Sequence, residues 1–389
     1  MKVWEERKKS MQIRRKMPRR IMAVLLVIVL AGAMFLSGCA GTKTAENHGS
    51  SGAAAQSETA GSEKSGRKTT TFTDDCGRKV KVPAKIDTVI ASGSLAQLFI
   101  YALAPDTLQA VNARWSADAK AYIPKKYLSL GQVGSFFGNH DLNYEQIARM
   151  KPDVVIDVGE AKPSMKSDLA DITDKTGIPA VHIDANFDDM DKAFTKLGRL
   201  LGKTEDAKAL ADYCSDAFAM VKRGMKNVKT KKKVMYCTQE DGMNVLARHA
   251  YHSQVIDMLS DNVAVLADPS SKGSGNEVNM EQMMNWNPEV ILFAPDSYYD
   301  YAGSDSAWKT LPAIRKGSYY EVPSGLYNWM GSPPSCNRIL GLLWMAKLLY
   351  PSQMDYSLKE QVKTYYDLFY HCDLSDGRYK KLVQHSILK

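Results

Sequence analysis

Two histidines and a tyrosine stand within four residues, at His249-Ala250-Tyr251-His252. Imidazole and phenolate are ligands that iron accepts, and imidazole is also a common ligand of zinc. Residues at i and i+3 share a face only if the segment is helical, and further ligands would have to come from elsewhere. His249 and His252 are therefore candidate metal ligands, although a capping or surface role is expected for at least one of them.

Aromatic and arginine side chains supply a second set of candidates. Ligands of open parallel sheets sit beyond the carboxyl ends of the strands, so we take these candidates from the loops that follow predicted strands. Rings stack on a flat conjugated ligand, and guanidinium groups pair with its carboxylate or phenolate oxygens. The residues predicted to bind the ligand are Ser94, Arg114, Trp115, Phe136, Arg248, Tyr251, Tyr298 and Trp329.

Motifs of enzymes are missing from the sequence. It contains no G-x-S-x-G elbow, no HExxH and no P-loop. The paired carboxylates Asp189 and Asp191 stand in an ordinary polar stretch, which is typical of a solvated turn. An exported enzyme and a purely structural surface protein are therefore weaker alternatives, and no cofactor is expected.

Charge is concentrated at the start of the chain. The 389 residues include 51 Lys+Arg and 43 Asp+Glu, for a formal net charge of +8. The first 39 residues hold nine basic and two acidic residues, which leaves 42 basic and 41 acidic in the remaining 350. A nearly neutral body gives no support for a nucleic-acid partner.

The basic start is followed by features of an export signal. Residues 21–35 carry no charge, and Leu36-Ser37-Gly38-Cys39 comes directly after them. A positive segment, a short apolar run and small residues predict a secretory signal, because 15 apolar residues are too few to span a bilayer. The last four residues resemble the lipobox of bacterial lipoproteins, which implies that Cys39 is lipidated and anchors the protein to the outer side of the cell membrane.

A tether is predicted after this anchor. Residues 40–68 are rich in Ala, Gly, Ser, Thr, Glu and Lys and hold no aromatic or large aliphatic side chain, so they are typical of a flexible leash. Beyond Cys39 the number of cysteines is odd, and we expect mostly isolated, buried thiols rather than a disulfide framework. They are Cys76, Cys214, Cys237, Cys336 and Cys372.

An internal repeat organises the body. Residues 142–146 and 152–156 match residues 278–282 and 288–292 at a constant offset of 136, with Asn, Glu, Gln and Pro in common. Each copy predicts a short helix, a proline-containing turn and a buried strand of a parallel sheet. The repeat therefore indicates two related lobes.

One long helix is predicted between the copies. Apolar residues keep helical spacing from Thr204 to Val228, with Thr204 as the predicted cap and acidic residues at the start. The predicted fold is α/β, with two lobes that have central parallel sheets and are joined by this bridging helix. The predicted segments are a signal peptide (1–38), an anchor and tether (39–68), an N-terminal lobe (69–203), the bridging helix (204–228) and a C-terminal lobe (229–389).

The order of these features resembles a known family. Residues 72–83, the two repeat copies, the long middle helix and Trp329 ahead of Ser332-Pro333-Pro334 resemble the substrate-binding proteins of iron-complex ABC importers. The resemblance covers residues 70–352 and implies a helical-backbone periplasmic binding protein. It implies capture of a ferric siderophore, haem or cobalamin in a shallow cleft, and delivery to an ABC permease dimer with its ATPase.

The resemblance also suggests roles for particular residues. One glutamate in each lobe of such proteins pairs with arginines of the permease, which implies that Glu145 and Glu281 are docking residues. A helix-starting glutamate favoured by the helix dipole is the alternative. For the ligand, the alternative is a molybdate- or tungstate-type oxyanion, bound by Ser94 and the backbone N–H groups at the helix start after Ser92-Gly93.

Overall fold

The computed structural model describes residues 67–137 and 140–387, in which strands and helices alternate along most of the chain. The strands are β1 (Thr69–Thr73), β2 (Lys79–Pro83), β3 (Val89–Ala91), β4 (Val154–Gly159), β5 (Ala180–Asp184), β6 (Lys233–Thr238), β7 (Asn244–Val245), β8 (Asp261–Asn262), β9 (Asn276–Glu277), β10 (Val290–Phe293) and β11 (Tyr319–Glu321). The helices are α1 (Ser94–Leu103), α2 (Lys125–Leu128), α3 (Tyr144–Met150), α4 (Met165–Thr176), α5 (Met190–Leu201), α6 (Thr204–Met225), α7 (Gln254–Leu259), α8 (Met280–Trp286), α9 (Tyr299–Ala302), α10 (Pro312–Arg315), α11 (Arg338–Leu349), α12 (Leu358–Tyr370) and α13 (Asp376–Leu382). The predicted signal segment and Cys39 lie outside the described residues.

The N-terminal half is built around a parallel sheet in which β4 lies between β3 and β5. Every residue of β4 is buried, as expected of a strand covered on both faces. Ile156 and Val158 belong to the large core with α1 and α5, whereas Val155 packs in a second cluster with α4. Residues 108–111 form no strand, but isolated bridges join Leu108 to Val89 and Val111 to Gln132.

The C-terminal half contains a second sheet, in the order β11-β10-β6-β7-β9 with β8 also paired to β6. Its centre is parallel, since β10 runs parallel to both β6 and β11. Ile291 and Leu292 again face different clusters, so this sheet is also covered on both sides. The predicted α/β fold with central parallel sheets is confirmed, with the short strands β7 and β9 added antiparallel at one edge.

A hairpin of β1 and β2 precedes the first sheet. Its turn is held by Asp74, whose carboxylate accepts hydrogen bonds from the backbone N–H (2.8 Å) and guanidinium (2.8 Å) of Arg78. Arg78 also donates to the carbonyl of Ala180 at 2.6 Å, which fastens the turn to β5. Gly77 takes a φ of +74° that other residues adopt at a cost. The charged residues of the family-like opening therefore have a structural role.

The two repeat copies fold alike. Asn143 caps α3 by accepting from the N–H of Gln146, and Asn279 caps α8 in the same way through Gln282. Helices α3 and α8 start and end at an offset of 136 residues, as do the first residues of β4 and β10. The residues that end the helices, Lys151 and Asn287, both take left-handed backbone conformations. The predicted order of short helix, turn and buried strand is confirmed in both copies.

The acidic residue after each repeat proline anchors a neighbouring strand. The buried carboxylate of Asp153 accepts from the N–H groups of Asp87 (2.8 Å) and Thr88 (3.1 Å), directly before β3. Glu289 accepts from the N–H of Lys233, the first residue of β6, at 2.9 Å. These bonds occupy backbone donors that would otherwise lack a partner at the starts of the two strands.

Helix α6 connects the two halves and corresponds to the predicted bridging helix. It has 22 residues and is therefore about 33 Å long. Gly202 ends α5 in a left-handed conformation. Lys203 is the N-cap of α6 and the only residue between Gly202 and the first helical residue. Thr204 is thus the first helical residue and not the predicted cap, and the helix ends at Met225, before the predicted end at Val228.

The last helices return to the N-terminal half. Helix α11 is buried nearly all round and begins at Arg338. Helix α12 packs on α1 and α5, with the rings of Phe369 and Phe194 5.5 Å apart. The hydroxyl of Tyr101 also donates to the carbonyl of Tyr370 at 3.2 Å. Because α12 belongs to the predicted C-terminal lobe, the boundaries of the predicted lobes stay a prediction.

The cysteines among residues 67–387 are free thiols, and four of the five are buried, which confirms the expectation of isolated thiols. Burial raises the pKa of the Cys336 thiol to about 11, so it stays protonated at physiological pH. Over the same residues, no helix combines the length and apolar character needed to cross a bilayer.

We expect Asp153→Ala to lower the free energy of unfolding by about 1–3 kcal/mol, because it leaves two N–H groups at the start of β3 without an acceptor. Urea denaturation followed by circular dichroism measures the change. Asp174→Ala, at an exposed position on α4, is the matched control and should stay within about 0.5 kcal/mol of wild type. Equal stability of both variants would contradict the anchoring role of Asp153.

Candidate functional site

The loops at the carboxyl ends of β6, β10 and β11 enclose a cavity of about 400 Å³. Its lining consists of Tyr236, Thr238, Gln239, Glu240, Leu246, His252, Gly273, Ala294, Pro295, Asp296, Ser297, Ser324, Leu326, Tyr327, Asn328, Gly331 and Ser332. This is the edge at which open parallel sheets bind ligands, and the volume lies within the range of small-molecule sites. The cavity is therefore the candidate binding site.

Polar and apolar groups contribute comparably to this lining, and its buried part contains hydrogen-bonded polar side chains. Asn328 donates from Nδ2 to the hydroxyl of Tyr236 at 3.0 Å and accepts from the N–H of Met330 at 2.6 Å. Burial raises the pKa of Tyr327 to about 12, so this phenol stays neutral and able to donate. The two carboxylates of the lining, on Glu240 and Asp296, belong to exposed residues. The interior thus offers neutral hydrogen-bonding groups, with negative charge confined to exposed positions.

Strained backbone shapes the same loops. Gln239, directly after β6, has a φ of +66°, and Asp296, shortly after β10, has a φ of +61°. Such conformations cost non-glycine residues about 1–3 kcal/mol each, and they cluster at functional sites. Gly275 has a φ of +72°, and a Cβ there would lie 2.3 Å from the carbonyl oxygen of Val245. The strands and their neighbours hold these loops in one arrangement.

His252 presents one ring nitrogen to the cavity. Its Nδ1 lies 2.7 Å from the carbonyl oxygen of Gly331, which only accepts, so Nδ1 carries the proton and Nε2 keeps its lone pair. Burial lowers the pKa of His252, and the charge of Arg338 lowers it further, so the ring is neutral at pH 7. His249 is exposed, and its backbone N–H donates to the carboxylate of Asp257 at 2.8 Å. No cluster of three or more His, Cys, Asp or Glu able to hold a metal occurs in the described part of the chain.

Arg338 does not line this cavity, but its charge acts on the lining residue His252, and it was not among the residues predicted from the sequence. It is the first residue of α11 and only 1% exposed. Its guanidinium carbon lies 5.1 Å from the ring centroid of Phe187, in the N-terminal half, and 5.4 Å from that of Tyr251, in the C-terminal half. The only visible signal in the sequence is a cation at the start of an apolar helix.

The charge of Arg338 is not neutralised by an ion pair. Nη1 donates to the side-chain oxygen of Gln254, and Nε has no hydrogen-bond partner. Among residues 67–137 and 140–387, no carboxylate comes within ion-pair distance of it, although the negative charge of Glu160 acts on it from farther away. Burial lowers the pKa of Arg338 but leaves it charged at pH 7. A buried cation in this state is costly until an anion approaches.

Comparison with known proteins identifies the family to which this chain belongs. The sequence model of a family described as periplasmic binding protein matches residues 100–326, more than half of the chain. The chain belongs to the periplasmic binding protein family. A solute-binding protein of an ABC transporter from Sulfurospirillum deleyianum is 27% identical, with a TM-score of 0.74, over 81% of this chain and 99% of that one. A periplasmic solute-binding protein from Veillonella parvula is 26% identical, with a TM-score of 0.67, over 82% of this chain and 98% of its own.

A curated relative is also similar. The molybdate-binding protein MolA of Haemophilus influenzae is 26% identical over 330 residues, which cover 77% of this chain and 90% of MolA. The relatives of this periplasmic binding protein are receptors of ABC transporters and not enzymes, which confirms the prediction of a non-catalytic protein. The protein is therefore an extracytoplasmic solute-binding protein of an ABC transporter.

Both tryptophans of the predicted site are packed inside this periplasmic binding protein. Trp329 is 1% exposed, and Trp115 is 9% exposed with its indole N–H donating to the carbonyl of Tyr127 at 3.1 Å. Both rings therefore pack against the protein in this structure, and their roles in ligand binding stay predictions. Each follows a predicted strand, but the chain turns it inward, onto the core that α11 shares with α1.

The other predicted residues are scattered. Arg248 is paired with Asp261 and donates to the carbonyl of Asn262 at 2.7 Å, so its fork is occupied within the protein. The hydroxyl of Tyr298 donates to Asp305 at 2.8 Å, and its ring stacks on Trp308. Both side chains are therefore bonded to neighbouring residues of the protein.

Besides Trp115, three residues predicted to bind the ligand lie in the N-terminal half. Ser94 begins α1, and Phe136 packs against Phe137 with ring centroids 4.8 Å apart. Arg114 is exposed. Tyr251, in the other half, is the predicted ligand residue that contacts Arg338. Their roles in ligand binding stay predictions.

We expect Trp329→Ala to lower the free energy of unfolding by about 3–5 kcal/mol, because it empties a fully buried site. Guanidinium denaturation measures the loss, and Trp286→Ala, at a half-exposed end of α8, is the control with a smaller loss. A Trp329→Ala variant of normal stability that no longer binds ligand would restore the original assignment of Trp329 as a ligand contact.

Proposed function

We propose that this solute-binding protein captures a small oxyanion of the molybdate or tungstate type and delivers it to an ABC permease. The observation that carries the proposal is the buried guanidinium of Arg338, which has no counter-charge within ion-pair distance in the described chain. Removing one partner from a buried charge pair is expensive, so a position kept cationic in this way favours an anionic ligand.

The start of α1 supplies a second group of donors near the cleft. Ser94 opens this ten-residue helix, and no side chain caps its first N–H groups. A helix N-terminus of this kind favours an anion. Leu95 lies against Gly159 at the end of β4, and Glu160 follows, close enough to act electrostatically on both Tyr251 and Arg338. The start of α1 therefore lies against Gly159, and the next residue, Glu160, acts on Arg338.

The character of the cavity supports the same choice. A volume of about 400 Å³ and neutral hydrogen-bonding groups within a half-polar lining suit a small solute better than a broad conjugated one. The exposed carboxylates of Glu240 and Asp296 would repel an anion, so we expect the ligand on the side of His252, where the charge of Arg338 is felt. The name of the relative MolA, a molybdate-binding protein, agrees with this proposal.

A metal complex is the second candidate and keeps the original prediction of a ferric siderophore, haem or cobalamin. The neutral Nε2 of His252 favours it, because Nδ1 is fixed by the carbonyl of Gly331 and Nε2 is the nitrogen available to a metal. Tyr251 stands beside this ring, at a centroid distance of 5.5 Å. A complex with a vacant coordination position would use His252, whereas a tetrahedral oxyanion would not need it.

For delivery, we propose that Glu145 and Glu281 contact the permease. Both lie in the first turns of the equivalent helices α3 and α8 and are exposed. Glu145 lies 3.7 Å from Arg149, an exposed pair of little energetic value, so both carboxylates are available to a partner. Lipidation of Cys39 would hold the receptor at the membrane that contains the permease.

Molybdate titration of the full-length protein, followed by calorimetry, tests the cargo. We expect saturable binding in wild type and a dissociation constant at least about thirtyfold higher in Arg338→Met, since loss of a buried charge partner costs about 2–5 kcal/mol. Arg338→Met should fold with equal or greater stability, because an apolar side chain replaces a buried, unneutralised charge. Arg315→Met is the matched control, at an exposed arginine bonded to the carbonyls of Lys309 and Thr310.

Two results would overturn the oxyanion. One is unchanged molybdate affinity in Arg338→Met. The other is binding of a ferric complex alone, with the absorption band of the iron lost in His252→Ala, which would establish the metal-complex candidate. Loss of affinity in Arg248→Met but not in Arg338→Met would place the site at the originally predicted arginine.

Docking is tested with charge-reversed variants. We expect Glu145→Lys and Glu281→Lys each to weaken binding to the permease–ATPase complex in nanodiscs by about tenfold or more, because a like charge replaces an attractive one. Molybdate affinity should not change. Glu205→Lys, at an exposed start of α6, controls for net charge. Equal effects of all three substitutions would show that net charge, and not these two positions, sets the affinity.

A further inference from the structure

A chain of buried polar groups runs across the carboxyl end of the first sheet. The hydroxyl of Ser92, after β3, donates to one carboxylate oxygen of Asp157 in β4. The other oxygen of Asp157 lies 2.6 Å from Nδ1 of His182 in β5, and Nε2 of His182 lies 2.8 Å from the carboxylate of Asp184. Ser92, Asp157 and His182 are 1%, 4% and 0% exposed. None of these side chains is among the residues predicted from the sequence to bind ligand.

The geometry requires His182 to be a cation. Each ring nitrogen faces a carboxylate, which only accepts when ionised, so both nitrogens must carry protons. Burial alone would lower the pKa of His182, but the hydrogen bonds and charges of Asp157 and Asp184 together raise it above its ordinary value. The interactions that need this proton are therefore complete at low pH and are lost as the pH rises through the raised pKa.

Other charged groups surround the same ring. From the β1–β2 turn, Asp75 accepts from the N–H of Asp184 at 2.9 Å and pairs with Lys196 of α5, while its own N–H donates to the carbonyl of His182 at 3.1 Å. From the same turn, Asp74 and Arg78 form an ion pair, and the Cys76 thiol has its pKa raised by burial and by neighbouring carboxylates. Negative charge thus exceeds positive charge around His182, which favours its protonated form.

Ser92 connects this series of buried polar groups to the proposed cargo site. Its backbone carbonyl accepts from the N–H of Phe136 at 2.7 Å, and its N–H donates to the carbonyl of Ile156 at 3.0 Å. Two residues later, Ser94 begins α1, whose N-terminus belongs to the proposed anion site. The hydroxyl bond to Asp157 therefore helps to fix both the start of α1 and the loop of Phe136.

We propose that His182, as a buried cation, is a positioning residue that holds Ser92 and the start of α1 in the arrangement that binds cargo. Loss of its proton would leave a ring lone pair facing a carboxylate, so Asp157 would move or take up a proton and its bond to Ser92 would change. Cargo affinity would then fall as the pH rises. This inference rests on the proposed site at the start of α1.

Two readouts on the full-length protein test it. ¹⁵N NMR follows the ring of His182 and the backbone amides of Ser92 and Ser94 between pH 5.5 and 9.5, and calorimetry measures the molybdate dissociation constant over the same range. We expect the amides to titrate with the midpoint of the ring. The dissociation constant should rise above that midpoint by at most about tenfold per pH unit. His182→Gln should remove both transitions, whereas His371→Gln, at the exposed histidine that follows the last residue of α12, should keep them.

The two proposals fail in different ways. Amides that titrate with His182 in a protein that binds no molybdate at any pH would support the positioning role and overturn the proposed cargo. Molybdate binding without a transition at the His182 midpoint would overturn the positioning role and keep the cargo. A persistent transition in His182→Gln would also overturn it, and Asp184→Asn, which removes one carboxylate but keeps the ring, should move the midpoint to lower pH.

Discussion

A strand in the middle of a parallel sheet has no face that it can leave in water, and this constraint shapes both halves of the chain. β4 and β10 send alternate residues into different apolar clusters, and helices cover each side. Each covering helix returns the chain from the carboxyl end of one strand to the amino end of the next. The loops that lead from strands into helices therefore lie together at the carboxyl edge of the sheet. The cavity, the start of α1 and the ring of Tyr251 all lie on such loops, and the binding site follows from how the sheets are covered.

The two copies of the repeat cover their central strands in the same way. Comparing their polar residues distinguishes those with a structural task from those without one. The asparagines at 143 and 279 cap helices, and Asp153 and Glu289 hold the starts of neighbouring strands. Glu145 and Glu281 have no comparable task within the described chain, although they recur at the same offset. The internal ion pair given for these two positions is the exposed one of Glu145 with Arg149, which is of little energetic value, and for that reason we proposed the permease as their external partner.

Much of the fold could be predicted from the sequence, because its signals are local. Short apolar runs gave the central strands, helical spacing gave α6, and the repeat gave two equivalent helix–strand units. The site was harder, since a loop aromatic such as Trp329 can turn toward solvent or toward the core with the same sequence pattern. That choice depends on α11 and α1, which pack together only in the folded chain. Arg338 shows the same limit, because its burial is completed by Phe187, about 150 residues earlier in the chain.

The two buried cations of the structure differ in the source of their counter-charge. His182 is neutralised by Asp157 and Asp184, so its cost of burial is offset within the protein and its contribution is rigidity. Arg338 has two aromatic faces and one amide, which stabilise a cation without neutralising it. If both His182 and Arg338 were neutralised within the protein, the receptor would have little electrostatic reason to bind an anion. If neither were neutralised, two buried charges would lower the stability of the fold. In the proposed receptor, His182 would hold the donors of α1 in place, and the cost of burying the unneutralised Arg338 would be recovered when an anionic cargo binds.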